Sequence, residues 1–331
     1  MEEIQVRPLQ EAEYPLWDNL VEISPYGTIF HKSQWVFSAT NQPWVNTEIL
    51  GAFRQDKLIG GCAIHSYKMA GLFILITTAF PLTPYGGIVI QPHESSKVRE
   101  REKMEVLIIN ALINALYQRN PSFIDLTMSP HVIDIRPYTW QKWQEIVRYC
   151  YIYRLSDHIF ENISKNARRS INRANKFGIT TKKKWDKNIY WTLTLDTYEK
   201  QGKKPPFSQK MLFSLMDIIK ENNWGEMWIA ETPTGEAVSG EIFIWDNKMA
   251  YRWSAASREQ FLNTGATSLL LYDIMTYLWD KGFKQFNLMA ANTPHLSKFI
   301  ASFNPDLVPY FSVRNFRGLF KIIKDLHSIV H

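Results

Sequence analysis

The sequence predicts an α/β chain of two domains, each a mixed sheet flanked by helices, and three observations carry that prediction. Its 331 residues are 45% apolar and 14% aromatic, enough to fill two cores at roughly 100 to 200 residues per domain. Strand-like and helix-like stretches follow a similar rhythm in both halves. In the second half, three consecutive strands lead into helix, strand, helix, strand, the order of a mixed sheet with helices on both faces.

In the first half, MEEIQVRPL reads as a strand, EAEYPLWDNLVEIS as a helix and SQWVFSAT as a second, short helix. VNTEILGAFRQDKLIGGCAIHSYKM alternates around a turn at Gln55 and Asp56, which predicts a hairpin. An apolar strand at 72 to 78 precedes FPLTPYGGIVIQP, whose proline and glycine density predicts a loop. A helix from Ser96 to Tyr117, the strand SFIDLTM and the strand EIVRYCYIYRL close this half. The second half opens with a basic amphipathic helix over 161 to 177 and a strand over 178 to 185, then helices over 188 to 200 and 208 to 222. GEMWIAET, EAVSGEIFIWD and KMAYRWSAAS are strands joined by the turns TPTG and WDNK. A helix from Thr267 to Lys281 stops at Gly282. Strand FKQFNLM, a short helix over 293 to 302, strand VPYFSV and a terminal helix complete the chain.

The N-terminal MEEIQV has neither the basic start nor the apolar core of a signal peptide, and GLFILITTAF, at 71 to 80, is too short to span a bilayer. Cys62 and Cys150 stand apart, with no metal-ligand spacing, and read as buried thiols of a reducing compartment. A cytoplasmic location is expected. The net charge is +6, but residues 161 to 187 hold nine cations against two acids, so the other 304 residues carry −1 between them. Basicity is therefore one patch, suited to phosphate rather than to a general nucleic-acid coat. No GxSxG, HExxH, Walker loop or GxGxxG occurs, which leaves hydrolase, metalloprotease, kinase and dehydrogenase readings unsupported; no metal is expected.

Chemistry-bearing residues cluster in the second half. NTGATSLLLYD opens a long helix after a strand and a loop, so the amides near Thr264, Gly265, Ala266 and Thr267 form a candidate cofactor-phosphate site; an ordinary capped terminus is the alternative. A β-branched residue at Gly265 is expected to impair donor binding and spare the fold. In the basic helix Lys165, Arg169, Arg173 and Lys176 share one face, opposite Ile163, Ala167, Ile171 and Ala174, which offers Arg169 and Arg173 as phosphate contacts; a solvated cationic face is the alternative. Lys182 to Lys184 are the internal control, since a generic electrostatic steering patch would make their neutralisation equally harmful. Asp273 falls within the apolar stripe of its helix and must be paired or working, which makes it a candidate catalytic acid or base; an ion pair with Arg252 on the neighbouring strand is the alternative. Glu241 is a candidate general base for an attacking amine, and Tyr251 a candidate acid for the leaving thiolate or ribose oxygen; strand residues facing solvent or core are the alternatives.

Four stretches carry a resemblance. TIFHKSQW, PYGGIVI, NARRSINRANKFGI and the block from AYRWSAAS through LLLYDIMTYLWDKGFKQFNL to FIASFNPDLVPY resemble, in order and spacing, the FemAB-like, tandem-GNAT transferases and polysaccharide-locus proteins with a GNAT domain. The resemblance implies two GNAT-like domains in tandem, 1 to 155 and 156 to 311, with a C-terminal helix, 312 to 331, packing back on the first. It adds Lys32, Tyr85, Arg252 and Lys298 as substrate contacts and implies transfer of an acyl or aminoacyl group from a phosphate-bearing donor to an amine. Members that use aminoacyl-tRNA carry Phe-Lys before a final Phe-Gly. Here Phe299 and Ile300, then Phe303 and Asn304, occupy that stretch, which favours acyl-CoA such as acetyl-CoA over aminoacyl-tRNA and a peptidoglycan precursor. The terminal helix NFRGLFKIIKDLHSIV sets Phe316, Leu319, Phe320, Ile323 and Leu326 against its lysines and arginines, a pattern that also suits a membrane surface. A non-catalytic RNA-binding protein is the reading of another class; it predicts strongly salt-dependent RNA affinity and no saturable small-molecule site.

Overall fold

The computed structural model describes residues 3 to 322. Contacts divide the chain into two compact units, Met1–Arg148 with Tyr310–His331, and Tyr149–Pro309. In chain order the elements are β1 (Ile4–Pro8), α1 (Tyr14–Ile23), α2 (Ser33–Ala39), β2 (Asn46–Arg54), β3 (Lys57–Met69), β4 (Phe73–Thr77), β5 (Ile88–Ile90), α3 (Val98–Tyr117), β6 (Phe123–Thr127), α4 (Arg136–Thr139) and β7 (Gln144–Arg154). There follow α5 (Ile159–Asn162), α6 (Lys165–Lys176), β8 (Thr180–Lys183), α7 (Lys187–Glu199), α8 (Gln209–Glu221), β9 (Gly225–Glu231), β10 (Ala237–Trp245), β11 (Ala250–Ser257), α9 (Ala266–Asp280), β12 (Gln285–Met289), α10 (Pro294–Ala301) and β13 (Asp306–Phe316).

In the first unit the sheet runs β1-β2-β3-β4-β6-β13, antiparallel except for the parallel pair β4 and β6. The β2–β3 hairpin turns at Gln55 and Asp56, with Gln55 left-handed at φ 54°. FPLTPYGGIVIQP is more than a loop: Ile88–Ile90 forms β5 and pairs antiparallel with Gly60, Gly61 and Cys62 of β3. The helix α3 buries Ile108, Ile109, Leu112, Ile113 and Leu116, the i, i+1, i+4, i+5, i+8 stripe of an amphipathic helix, against that sheet. At the C-terminal end Phe320 stacks among Phe73, Phe123 and Phe316, so the segment after β13 packs on this unit while Leu319 and Ile322 stay exposed. Ile323 and Leu326 lie outside the described residues.

The second unit orders its sheet β7-β12-β11-β10-β9-β8, antiparallel except for β11 and β12. Its basic helix does not run unbroken from 161. Ser164 takes an extended backbone and its hydroxyl accepts the Ala167 amide at 3.2 Å, so α6 starts afresh at Lys165 after the single turn of α5. Ala167, Ile171 and Ala174 are buried against α9, and Lys165, Arg169, Arg173 and Lys176 are exposed. The helix α9 is apolar nearly all round, with Leu269, Leu270, Leu271, Ile274, Met275 and Leu278 buried, as its position between α6 and the sheet requires. Among the described residues no helix is long and apolar enough to cross a membrane.

Candidate active site

Strands β11 and β12 are parallel and joined through α9, yet they pair only at Ala250–Phe286 and Tyr251–Asn287. Beyond those two rungs they part, and the side of β11 that faced β12 loses its ladder. Two features sit at the parting. The register between β10 and β11 slips there, Ile242 opposing Ser254 and Ile244 opposing Tyr251, so Arg252 and Trp253 together oppose Phe243 in a bulge on β11. On the other side β12 ends in two left-handed non-glycine residues, Met289 at φ 53° and Ala290 at φ 55°, a conformation that costs ~1–2 kcal/mol per residue. Asn287 turns its Oδ1 to the Met289 amide at 2.9 Å and holds the first of them. Strain and a bulge are concentrated where the parallel strands part at their carboxyl ends, the place at which open α/β sheets generally admit ligands.

The N-terminus of α9 lies next along the chain from β11. Gly265 precedes it at φ 87°, and a Cβ there would stand 2.1 Å from the Ser170 carbonyl oxygen of α6. Gly265 is therefore required by close backbone packing of α6 on α9, and the expectation that a β-branched residue would spare the fold is corrected: it meets both a left-handed backbone and a fixed carbonyl. Thr264 is a turn former, its hydroxyl donating to the Phe261 carbonyl at 2.6 Å and accepting the Ala266 amide at 3.2 Å. That leaves Ala266 capped and Thr267 as the candidate whose amide opens the helix; the Thr267 hydroxyl lies 3.4 Å from that of buried Ser239. The same Ser170 links this terminus to the basic helix, because Arg173 Nη2 donates to its hydroxyl at 3.2 Å. Phosphate candidates from two separate readings, the amides of α9 and Arg173, thus meet at one residue. Arg169, Lys165 and Lys176 have no ion-pair partner among the described residues, nor does exposed Lys298 on α10.

Several sequence expectations give way. Glu241 is fully buried and locked to Arg252, Arg252 Nε on Oε2 at 2.8 Å and Nη2 on Oε1 at 2.5 Å. Held by a guanidinium fork and closed off from solvent, Glu241 is not presented to an amine from outside, and Arg252 is partnered by it and not by Asp273. Burial works against the Arg252 charge, yet Glu241 outweighs it and raises the pKa. The Arg252 guanidinium also lies over the Phe299 ring, 5.7 Å from its centre. Tyr251 is buried and donates to Asp246 Oδ2 at 2.8 Å, closing the β10–β11 turn, which removes it as a leaving-group acid. Asp273 is half-buried with Thr181 of β8 donating to its Oδ2 at 2.5 Å, and it lies on the α6 and β8 flank of α9. Lys182 to Lys184 are spent on buried carboxylates: Lys182 and Lys184 on Glu231, Lys183 on Glu226 at 2.8 Å. They are edge-strand counterions, and this overturns their use as a control for electrostatic steering.

The first-unit motifs also resolve into structure. Phe30 packs edge-on against Tyr85, a His31 ring nitrogen lies 2.8 Å from the Gly86 carbonyl oxygen, and Trp35 donates to the Thr83 hydroxyl at 3.0 Å. TIFHKSQW and PYGG are two halves of one latch. Tyr85 is buried between Phe30 and Tyr310, and Lys32 bonds to Glu22 at 2.5 Å and to the Asp18 carbonyl at 3.2 Å, so neither side chain is presented to a substrate. The Glu241–Arg252 pair escaped sequence reasoning, although an acid and an arginine on adjacent apolar strands, SGEIFIW and AYRW, were its visible signal. Met289 and Ala290 left none.

Residues 161 to 296 match the family model of the acetyltransferase (GNAT) domain. The second unit carries a GNAT domain. Acyl transfer is the chemistry of that domain, and the solved structures extend the likeness in fold to the whole chain. FemX superposes with a TM-score of 0.73 at 12% identity, covering 97% of this chain and 99% of its own. L-PGS from Bacillus licheniformis gives 0.59 at 11%, covering 97% and 96%. A tandem GNAT protein from the clavulanic acid biosynthesis pathway gives 0.57 at 10%, covering 96% and 99%. The fold of the chain is thus that of these structures, with two GNAT-like domains in tandem. No curated protein matches by sequence. Among the described residues no cluster of histidine, cysteine, aspartate and glutamate is placed to hold a metal.

Proposed function

We propose that the second unit transfers an acyl group from acyl-CoA to a primary amine in the crevice where β11 and β12 part. The observation that carries this reading is the placement of that parting beside a helix N-terminus and an unpaired arginine face. The donor's phosphates would meet the Thr267 amide and Arg173, and its acyl arm would enter between the strands. A backbone N–H of β11 on the side of the gap would donate to the oxyanion as the amine attacks the thioester carbonyl. Glu241 contributes by fixing Arg252, and with it the bulge, at the reacting end. The tetrahedral intermediate collapses with cleavage of its C–S bond; coenzyme A leaves as the thiolate and takes a proton from water, and the amine proton is given up to water, since Glu241 and Tyr251 are both engaged.

Aminoacyl-tRNA is the second donor reading, favoured by the four exposed cations of α6 that lack acidic partners and by the likeness to FemX, with a cell-envelope precursor as acceptor. Calorimetric titration of the purified chain with acetyl-CoA and, separately, with charged tRNA tests the choice. Saturable acetyl-CoA binding lost in Thr267→Pro supports the proposal; tRNA binding with no CoA binding transfers it to the second reading, and binding of neither sinks both. A lipid surface remains the proposed peripheral partner of the C-terminal segment, where Leu319 and Ile322 are more than half exposed beside Lys321.

A further inference from the structure

On the flank of α9 that faces α6 and β8, a pocket of about 640 Å³ opens within the second unit. It shares no lining residue with the parting of β11 and β12. Asn172 and Asn175 of α6, Thr180 and Thr181 of β8 and Asp273 of α9 supply its polar wall. Phe160 and Tyr272 supply rings set edge to face, 5.6 Å apart. Its size falls in the range of small-ligand sites, ~300–1,000 Å³.

Asp273 is the group that folding does not explain. Its Oδ2 takes the Thr181 hydroxyl, but among the described residues Oδ1 has no hydrogen-bond partner. No lysine, arginine or histidine lines the pocket, although the surrounding segment, 161 to 187, is rich in cations. Burial raises the pKa of this carboxyl, so ionising it works against the fold, and an asparagine would accept the Thr181 bond as well. Its Oδ1 is thus open to a donor brought by a ligand in the pocket.

The lining decides the ligand class. A phosphate or carboxylate would meet Asp273 with no cation in the wall. An ammonium would have to approach past the exposed Lys165, Arg169, Arg173 and Lys176 of α6. Asparagine amides and threonine hydroxyls both donate and accept, which suits neutral hydroxyl groups, and the aromatic pair offers a surface for the C–H face of a ring. We propose that this pocket binds a neutral saccharide unit, its hydroxyls donating to Asp273 and its ring lying against Tyr272 and Phe160. Sugar binding here is a property separate from acyl transfer, and neither reading depends on the other.

The test is saturation-transfer NMR and calorimetry of the full chain with N-acetylglucosamine, its β-1,4 disaccharide, glucose and galactose, without any acyl donor. Saturable binding of at least one probe is expected. Asp273→Asn should weaken it about tenfold or more, as loss of a charge-assisted hydrogen bond implies, and Asn175→Leu should weaken it as well. Thermal melts run alongside should show Asp273→Asn no less stable than the native chain, which separates lost binding from lost fold. The proposal is overturned if none of the four sugars binds, if both variants bind as the native chain does, or if tetramethylammonium binds in place of every sugar.

Discussion

Glu241 and Arg252 face each other across β10 and β11 as a buried bidentate pair, and this pairing relocates the chemistry of the second unit. An acid in a GNAT-like strand invites a role as base. Held by both guanidinium nitrogens and excluded from water, Glu241 instead fixes the bulge at Arg252 and Trp253. Removing one partner of a buried pair strands the other's charge, at a cost of about 3–5 kcal/mol. Glu241→Ala is therefore expected to lower Tm by on the order of 10 °C, given ~2–4 °C per kcal/mol in a domain of this size. A variant that keeps its melting temperature and loses only turnover would restore Glu241 to the role of base.

Gly265 is expected to tolerate no side chain. Its left-handed backbone alone penalises alanine by ~1–2 kcal/mol, and the Ser170 carbonyl adds a contact that cannot be relieved without moving α6 from α9. Gly71 is the matched control, left-handed at φ 69° with nothing within 4 Å of an added Cβ. Urea denaturation should show Gly265→Ala costing clearly more than Gly71→Ala. Equal costs would mean that the close approach to Ser170 relaxes freely.

The contrast between these two glycines shows what a sequence carries and what it does not. Local signals read well: the Gln55–Asp56 hairpin, the helix α3, the stop of α9 before Gly282 and the opposed faces of α6 all follow from the pattern along one element. The break at Ser164 was readable in principle, since a serine three residues before Ala167 is a capping signal, but the cationic run masked it. What failed was pairing between elements. Whether Arg252 meets Asp273 or Glu241 depends on strand register and a bulge, and whether Lys182 to Lys184 are free depends on which carboxylates of β9 lie opposite. Tyr85 and Lys32 were picked out by motif; that they belong to a latch is a fact of tertiary contact.

Those lysines give the chain a pH signature. Burial alone would raise the Glu226 pKa, but Lys183, the Tyr277 hydroxyl and the Trp228 indole outweigh it and lower the value, with Lys281 at 3.4 Å also facing the group. A carboxylate whose folded pKa lies below its unfolded value, near 4.3, stabilises the fold at higher pH; that contribution is lost as pH falls below 4.3 through the folded value. Glu226→Gln is thus expected to be less stable than the native chain at pH 7, with the gap closing on acidification. Denaturant midpoints measured at pH 7 and near pH 3 decide it, and a gap of constant size would show that the carboxylate's charge is not what stabilises.

The basic helix bears the last test. Arg169 has no ion-pair partner among the described residues, and Arg173 donates to the Ser170 hydroxyl, so both can be removed without exposing a buried charge. Exposed substitutions of this kind shift stability by less than about 0.5 kcal/mol. If the pair grips the phosphates of the donor, Arg169→Ala with Arg173→Ala should weaken coenzyme A by ~2–4 kcal/mol, at ~1.5–3 kcal/mol per charge-assisted contact before non-additivity. Lys182 to Lys184 cannot serve as a matched control, since they neutralise Glu226 and Glu231 and their loss would weaken the fold. Lys298, exposed and unpaired on α10, is the better comparison for general electrostatic attraction. Should Lys298→Ala and the arginine pair lower affinity equally and with one ionic-strength slope, α6 acts only by long-range attraction. A loss confined to the arginine pair, at unchanged Tm, places the phosphates at the junction of α6 and α9.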